Sequence, residues 1–244
     1  MSRRASRLND AELVAREYAS EERFLARRVA FVDYVEGPNA EDLAFEALTE
    51  AAPGRVLEVG SGTGAFAERV RRDLGAKVTA ADISPRMVEL ARKRGLAAIE
   101  ADVQDLPFGD GAFDCVVALW VLHHVPDLDR GLVEVARALQ PGGRLVAATF
   151  GRDPLFELYD WLDAPSTSEL EFSRENGEGV LRRHFGRVER RDADATVVFP
   201  DRGALRAYLC SLIQRSDLAD RLPEFEGLFR AHSSQVVFVA EKAA

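Results

Sequence analysis

The 244-residue chain is 47% hydrophobic and 30% charged, which predicts a globular protein with one sizeable core. Its net charge of −9 disfavours tight, nonspecific binding to nucleic acid or to an anionic membrane surface, because both are themselves negative. The two cysteines, Cys115 and Cys210, are far apart and show no CxxC or Cys/His spacing. We therefore expect no metal site and no disulfide framework, and a reducing, cytoplasmic setting.

The start of the chain and its hydropathy also bear on location. Residues Met1 to Arg4 are basic but lead into a polar stretch, so we expect no secretory signal. No segment reaches about 18 unbroken apolar residues, the length expected of a membrane-spanning helix. We expect no membrane partner.

Two helical patterns precede the first predicted strand. Apolar residues at helical spacing predict a helix from Asp10 to about Glu36, ended by Gly37-Pro38, and a second from Ala40 to about Ala51. These helices would form an N-terminal cap over residues 1–54 of a single domain that spans the chain.

From Arg55 onward, short apolar runs alternate with amphipathic helical patterns. The predicted strands are Arg55–Val59, Lys77–Ala81, Ala97–Ala101, Phe113–Leu119 and Arg144–Phe150. Regular alternation of this kind predicts an α/β fold, a parallel sheet with helices on both faces. Residues 55–150 are the expected cofactor-binding core.

After Gly151 the regular alternation is lost. We interpret residues 151–244 as a substrate-side insertion followed by closing strands, with ordinary connecting structure packed on the sheet as the alternative. A helix is expected from about Glu178, with Asn176 as its cap. The later predicted elements are strand Gly186–Arg191, an extended piece Thr196–Phe199, helices Arg202–Gln214 and Leu218–Arg230, and strand Gln235–Ala240.

The stretch Val56–Phe66, Val-Leu-Glu-Val-Gly-Ser-Gly-Thr-Gly-Ala-Phe, predicts a strand, a tight loop and a helix. Glycines at positions 60, 62 and 64 permit positive φ and remove side chains where a ligand lies against the backbone. Such a loop holds a nucleotide-like cofactor. Because Gly60-x-Gly62-x-x-Ala65 also satisfies the dinucleotide fingerprint, the loop alone leaves the choice of cofactor open.

Two acids at predicted strand ends narrow this choice. Asp82 follows the first glycine by 22 residues, where a doubly wound fold places an acid on ribose hydroxyls. Asp102 ends the third strand, where a carboxylate can accept from the adenine amine and a backbone N–H can meet a ring nitrogen. The absence of GxxxxGK[ST] favours an adenosine without a triphosphate. Either acid taken singly could instead cap a helix.

Taken in order, these motifs resemble the class I S-adenosylmethionine-dependent methyltransferases, in the small-molecule group with a methyltransferase type 11 domain. The resemblance covers Arg55 to Phe150. It is carried by the segments Val56–Gly64, Asp82–Met87, Ala101–Phe108, Phe113–Val117, Leu122–Val125 and Leu139–Leu145.

The resemblance implies a Rossmann-like doubly wound sheet of seven strands in the order 3-2-1-4-5-7-6, counted from Arg55–Val59, with the last strand antiparallel and a helical insertion after the fifth. It also implies S-adenosylmethionine as the cofactor. The residues implied for that cofactor are Glu58 for the ammonium, Gly60, Ser61, Gly62, Thr63 and Gly64 for the methionine part and ribose, Asp82 for the ribose hydroxyls, Ile83 and Met87 for the adenine faces, Asp102 and Val103 for the adenine edge, and Leu119 for the sulfonium.

Methyl transfer from a sulfonium is an in-line displacement, so the protein mainly aligns the reactants and excludes water. If the acceptor is a hydroxyl or an acidic carbon, His123 or His124 is the candidate base or substrate-positioning residue; a neutral amine needs none. A structural role is the alternative for both histidines. The expected acceptor is a small molecule, since an acidic chain disfavours a nucleic acid.

The expected cap over the acceptor site comprises Tyr18, Arg23 and Phe24 of the N-terminal helices and the aromatic residues Phe156, Tyr159 and Trp161. Two other functions stay open. An NAD-dependent oxidoreductase would share the glycine loop and Asp82 but leaves Asp102 and the two histidines without explanation. A noncatalytic nucleotide-binding scaffold is disfavoured because the loop and the ribose acid are both intact.

Overall fold

The computed structural model describes residues 21–151, 154–164, 170–212 and 215–243. The expected helix start at Asp10, Tyr18 and the side chain of Phe24 lie outside this description. The helices in these ranges are α1 (Glu21–Val32), α2 (Ala40–Ala51), α3 (Ala65–Leu74), α4 (Pro85–Lys93), α5 (Leu128–Ala138), α6 (Phe156–Trp161), α7 (Gly177–Leu181), α8 (Arg202–Ser211) and α9 (Leu218–Arg221), with a 3-10 turn at Leu122–His124.

The strands join into one sheet. They are β1 (Val35–Glu36), β2 (Arg55–Val59), β3 (Lys77–Asp82), β4 (Ala97–Glu100), β5 (Phe113–Leu119), β6 (Leu139–Phe150), β7 (Arg187–Phe199) and β8 (Phe229–Glu241). Their order is β1-β7-β8-β6-β5-β2-β3-β4. Strands β2 to β6 pair in parallel, whereas β8 is antiparallel to both β6 and β7.

Seven of these strands have the order that the family resemblance implied, including the antiparallel last strand between its two neighbours. The structure adds an eighth, the short edge strand β1, which pairs antiparallel with β7 through Val35 and Val197. The first predicted helix was therefore wrong at its end. It stops at Val32, because the β-branched Val35 completes the sheet edge instead.

The central strands explain the parallel arrangement. Along β2, Leu57 belongs to the apolar cluster on one face of the sheet and Val56 to the cluster on the other. Along β5, Val116 and Val117 divide in the same way. Strands buried on both faces carry near-continuous apolar runs, which agrees with the helices on both sides that the alternation of strands and helices predicted.

The closing strands are longer than the sequence predicted. Strand β7 is continuous from Arg187 to Phe199 and joins the two predicted segments, Gly186–Arg191 and Thr196–Phe199. Its ladder with β8 extends without a break to the pair Phe199 and Phe229. The predicted helix Leu218–Arg230 was wrong beyond Arg221. Pro223 follows directly after Leu222 and cannot continue a helix with full hydrogen bonding, and the chain enters β8 at Phe229.

The insertion between β6 and β7 carries α6 and α7, as expected, and Asn176 is at the N-cap position of α7, but its side chain makes no capping hydrogen bond. Its side chain instead accepts from the Ser173 N–H at 2.7 Å and donates to the Leu170 carbonyl at 2.8 Å. Of the expected aromatic cap, Tyr159 is buried whereas Phe156 and Trp161 are exposed.

Within the described ranges, no helix combines the length and the apolar character needed to cross a membrane.

Candidate functional site

The glycine loop lies between β2 and α3, at the edge where the parallel strands end. The Ser61 N–H donates to the Ala81 carbonyl at 3.0 Å, and the Gly64 N–H donates to the Ser61 carbonyl at 2.9 Å. These bonds fold the loop onto the end of β3. Next to it, the Ala101 N–H donates to the Asp82 carbonyl at 3.1 Å, which brings the end of β4 to the same place. The carboxyl ends of adjacent parallel strands are where ligands bind in such sheets.

The backbone of the loop needs glycine for two different reasons. Gly60, Gly62 and Gly64 all have positive φ, as the sequence predicted. A Cβ on Gly60 would lie 2.4 Å from Cγ2 of Val121, and a Cβ on Gly64 would lie 2.6 Å from Cδ1 of Leu96. The first glycine thus lets Val121 approach the loop, and the last lets α3 start directly against its neighbours.

Asp82 holds the loop in this shape. Its carboxylate accepts from the Gly62 N–H at 2.8 Å and from the Ser84 N–H at 2.9 Å. The side chain is largely buried, and burial raises its pKa while the two backbone N–H groups oppose that rise. A carboxylate has about four lone-pair sites, so two further donors, such as ribose hydroxyls, can still bind.

Two buried oxygen atoms beside the loop have no hydrogen-bond partner among the described residues: Oε2 of Glu58 and Oγ of Ser61. Burial raises the pKa of Glu58 well above its ordinary value, the Glu41 carboxylate adds to the rise, and the Ala67 N–H opposes it. Buried polar atoms are nearly always paired in native proteins. These two atoms are therefore suited to bind a ligand, and an ammonium beside Glu58 would favour its ionised form.

Thr63 completes the loop. It is buried, and its carbonyl accepts from Nε of Arg94 at 3.0 Å. This contact ties the loop to the end of α4, so Thr63 supports the loop from behind through its backbone.

The residues predicted to contact adenine are in different environments. Ile83 is 57% exposed directly after Asp82, as expected of an apolar side chain that covers a ligand face. Met87, by contrast, is fully buried. Its side chain lies beneath the surface, which does not favour the expected adenine contact.

Asp102 does not cap a helix. Its carboxylate accepts from the backbone N–H of Gln104 at 2.9 Å and from Nε2 of Gln104 at 2.9 and 3.1 Å. Gln104 in turn accepts the Asp127 N–H at 3.0 Å. The carboxylate is thus fixed at the end of β4 by its own turn, and Val103 beside it is buried.

Sequence reasoning missed one residue at the end of β5. Leu119 is buried there, and Trp120 directly after it has φ of +52°, a conformation that non-glycine residues seldom adopt. Its Nε1 donates to Oε1 of Gln235 at 3.1 Å, and Gln235 donates to Oγ of Ser233 at 2.9 Å. No local motif predicts these two linked hydrogen bonds, because Gln235 lies on the last strand, β8.

The two histidines of the 3-10 turn differ. His123 is buried with Nδ1 unpartnered among the described residues, whereas His124 is partly exposed and has contacts of its own. The His123 ring lies 4.1 Å from that of His124 and 4.7 Å from that of Phe150, centroid to centroid. Burial lowers the pKa of His123 well below its ordinary value, and the charges of His124 and Arg27 lower it further. His123 is neutral at pH 7.

Comparison with known proteins gives a family for this arrangement. A family model described as a methyltransferase domain matches residues 57–147. A demethylmenaquinone methyltransferase from Thermus thermophilus is 41% identical over 118 residues, which are 46% of this chain and 54% of that protein. A protein of the same name from Clavibacter sepedonicus is 31% identical over 174 residues, 67% of this chain and 66% of that protein. The chain spans about half the length of the first curated relatives it matches.

The solved structures agree on the fold. A SAM-dependent methyltransferase from Thermotoga maritima has a TM-score of 0.59 at 23% identity and covers 95% of this chain and 99% of its own. None of these matches supports the oxidoreductase alternative. Together with the strand order and the glycine loop, they identify this chain as a member of the class I S-adenosylmethionine-dependent methyltransferase family.

Proposed function

We propose that this chain transfers the methyl group of S-adenosylmethionine to a nucleophilic O, N or C atom of a small-molecule acceptor. The observation that carries this is the pair of unpartnered buried oxygens, Glu58 Oε2 and Ser61 Oγ, beside a glycine loop held by Asp82. A zwitterionic amino-acid tail provides an ammonium and a carboxylate, and a ribose provides hydroxyls. Such a ligand would satisfy the atoms that the protein leaves unpaired.

The cofactor residues keep their expected roles within this proposal, with one change. Glu58 would hold the ammonium, the glycine loop the methionine part and ribose, and Asp82 the ribose hydroxyls. Ile83 would cover one adenine face, while Met87 would support that surface from below. The remaining residues proposed for adenine and sulfonium are Asp102, Val103 and Leu119.

S-adenosylmethionine, when bound, supplies an electrophilic methyl group on a positively charged sulfur. The chain's task is then to hold the nucleophile in line and to exclude water. Burial around Leu119 and His123 provides the dry environment. Neutral His123 can accept a proton from a hydroxyl acceptor, but its lowered pKa makes it a weak base, which favours a positioning role over proton transfer.

The class of acceptor is inferred from the insertion after β6, which is a different part of the chain from the cofactor site. The family model ends at residue 147, so the insertion after β6, with α6 and α7, lies beyond it. Relatives named for menaquinone and ubiquinone biosynthesis make quinone-like rings a reasonable first set to test. Because the insertion is not shared with that model, we propose a small organic acceptor of which quinones are one case.

The test is formation of S-adenosylhomocysteine by the purified full chain, measured against a panel of phenols, quinols, amines and carbon acids. We expect turnover with at least one acceptor class and none by an Asp82→Ala variant. If no panel member is methylated and the protein binds NAD but not S-adenosylhomocysteine, the proposal is wrong.

A further inference from the structure

The carboxylate of Asp102, at the carboxyl end of β4, is held by a single neighbouring residue, Gln104. Oδ1 of Asp102 accepts the backbone N–H of Gln104 at 2.9 Å. The side-chain Nε2 of Gln104 lies 3.1 Å from the same oxygen and 2.9 Å from Oδ2. Both residues are partly buried, so the side-chain contact is not fully open to water. Gln104 therefore fixes the direction in which the carboxylate points.

The start of α5 holds the other side of Gln104. The side-chain Oε1 of Gln104 accepts the N–H of Asp127, the N-cap residue of α5, at 3.0 Å. The backbone carbonyl of Gln104 accepts from Nε of Arg130, in the first turn of that helix, at 2.8 Å. Gln104 thus bridges the end of β4 and the start of α5, and both polar atoms of its amide are bound.

These partners permit only one orientation of the Gln104 amide. An ionised carboxylate can only accept hydrogen bonds, and a backbone N–H can only donate one. A flipped amide would set its oxygen against Asp102 and its NH2 group against the Asp127 N–H, so both contacts would be repulsive. The helix therefore aligns the amide, and the amide aligns the carboxylate.

The two oxygens of the Asp102 carboxylate are left in different states. An ionised carboxylate has about four acceptor sites, two on each oxygen. Oδ1 receives two donors from Gln104, whereas Oδ2 receives one among the described residues. Oδ2 therefore has a site to spare. An exocyclic amine is a donor and suits this site, whereas a 6-oxo base would set an acceptor against an acceptor.

We propose that Gln104 is a positioning residue for adenine recognition, which holds Asp102 so that Oδ2 accepts from the exocyclic amine of the cofactor. The proposal rests on the methyltransferase function above and on the adenine role proposed there for Asp102. It assigns the selection of a 6-amino purine to the pair of side chains and not to the acid alone. Gln104 acts on the cofactor only through Asp102.

The test is isothermal calorimetry of the full chain with S-adenosylhomocysteine and with S-inosylhomocysteine, in which an oxo group replaces the exocyclic amine. A charge-assisted hydrogen bond predicts that the wild type binds the adenosine ligand roughly 10- to 100-fold more tightly. Gln104→Met keeps the length of the side chain without its amide, so it should lower this preference by roughly 3- to 10-fold. Gln140→Met is the matched control, because Gln140 is also partly buried but contacts Arg55 at the opposite edge of the sheet.

A double-mutant cycle separates positioning from a general effect on the fold. Asp102→Ala should bind the two ligands about equally. In that background Gln104→Met should weaken the binding of S-adenosylhomocysteine little further, because the acid that it aligns is gone. A purely structural role for Gln104 predicts instead that the two substitutions act additively and that Gln104→Met weakens both ligands by the same factor.

The outcomes for Gln104 are distinct from those for the broader function. Equal weakening of both ligands by Gln104→Met, or unchanged binding, would overturn the positioning role. Tighter binding of S-adenosylhomocysteine by this variant would also overturn it, since the amide would then compete with adenine for Asp102. A preference for the adenosine ligand that survives in Asp102→Ala would contradict the role of the pair. Failure of the wild type to bind S-adenosylhomocysteine would overturn the methyltransferase proposal itself.

Discussion

The carboxylate of Asp82 accepts the backbone N–H of Gly62 at 2.8 Å, so the acid at the end of β3 fixes the loop at the end of β2. Its other oxygen accepts the Ser84 N–H at 2.9 Å and starts the turn into α4. One side chain therefore shapes the loop and offers its remaining lone pairs to a ligand. A substitution at Asp82 therefore affects both the loop and the proposed ligand contact. Its effect on ligand binding must be compared with that of substituting an acid whose role is only structural.

Close packing at Gly64 predicts a large cost for a small change. Gly64→Ala would place Cβ 2.6 Å from Leu96 Cδ1 and 2.9 Å from Ala91 Cβ, at φ of +77°. Gly75→Ala is the matched control, because Gly75 has φ of +68° but nothing within 4 Å of its Cβ position. Backbone strain alone costs roughly 1–2 kcal/mol. We expect this loss for Gly75→Ala and about 1–3 kcal/mol more for Gly64→Ala.

Urea unfolding of both variants measures the difference. Equal losses in the free energy of unfolding would show that Leu96 and Ala91 yield freely, which contradicts the tight start of α3.

The raised pKa of Glu58 predicts a variant that is more stable but binds the cofactor less well. The unfolded chain releases this proton near pH 4.5, whereas burial keeps it on the folded protein to higher pH. Stability is therefore lost as the pH rises above 4.5 toward the folded pKa. Glu58→Gln cannot ionise, so its Tm should exceed that of the wild type at pH 8, with a gap that narrows toward pH 4.5. Its affinity for S-adenosylhomocysteine should fall.

Glu134 provides the control of opposite sign. Hydrogen bonds from Arg137 lower the pKa of Glu134, so its stabilisation is present above pH 4.5 and lost below. Glu134→Gln should therefore have a lower Tm than the wild type at pH 8. A Glu58→Gln variant that behaves in the same way as Glu134→Gln would contradict the raised pKa of Glu58.

The lowered pKa of His123 predicts acid sensitivity. The unfolded chain binds a proton at this side chain near pH 6.5, whereas the buried ring in the folded protein does not. The folded state thus loses stability as the pH falls below 6.5. His123→Phe should flatten the fall in Tm between pH 7 and pH 5. Identical slopes for wild type and His123→Phe would contradict a buried neutral His123.

The Trp120 indole and the Gln235 amide predict a coupled pair. Gln235→Leu leaves the indole N–H without its acceptor, which should cost about 1–3 kcal/mol of unfolding free energy. In a Trp120→Phe background that N–H is absent, so the same change should cost less. A double-mutant cycle by chemical unfolding measures the coupling, and a coupling energy of zero would show that the bond does not contribute.

The core of the fold could be predicted because its parallel strands are buried on both faces. Cys115–Leu119 is apolar without interruption and Val56–Val59 is interrupted only by Glu58, and glycines and acids follow directly at the carboxyl ends of these strands or of their neighbours. Each of these signals is local. These signals therefore predicted the α/β core, the positive φ of the glycine loop and the position of Asp82 next to it, whereas the strand order was implied only by the resemblance to the methyltransferase family.

The rest of the fold and of the site depends on contacts between residues far apart in the sequence, which no local pattern predicts. Trp120 and Gln235 are 115 residues apart, and Val35 finds its partner Val197 only at the sheet edge. The extension of β8 to Phe229 is likewise decided by its ladder with β7. Met87 shows that a position in a motif does not by itself indicate exposure. The side chain is fully buried on α4, and its contact with adenine stays a prediction.

The central claim is that Asp82 binds the ribose of S-adenosylmethionine, and Asp114 provides the control that this claim needs. Asp114 accepts the N–H groups of Gly54 and Arg55, both at 2.8 Å, at the opposite edge of the sheet. Both acids thus hold two backbone N–H groups, but only Asp82 is at the carboxyl edge. Asp82→Ala and Asp114→Ala should each lower the Tm.

The decisive measurement is isothermal calorimetry of the wild type and both variants with S-adenosylhomocysteine and NAD, below the Tm of each protein. We predict that the wild type binds S-adenosylhomocysteine and not NAD, that Asp82→Ala loses roughly 100-fold in affinity, and that Asp114→Ala binds as the wild type does. Equal losses for both variants would assign Asp82 a structural role only, and binding of NAD alone would contradict the account.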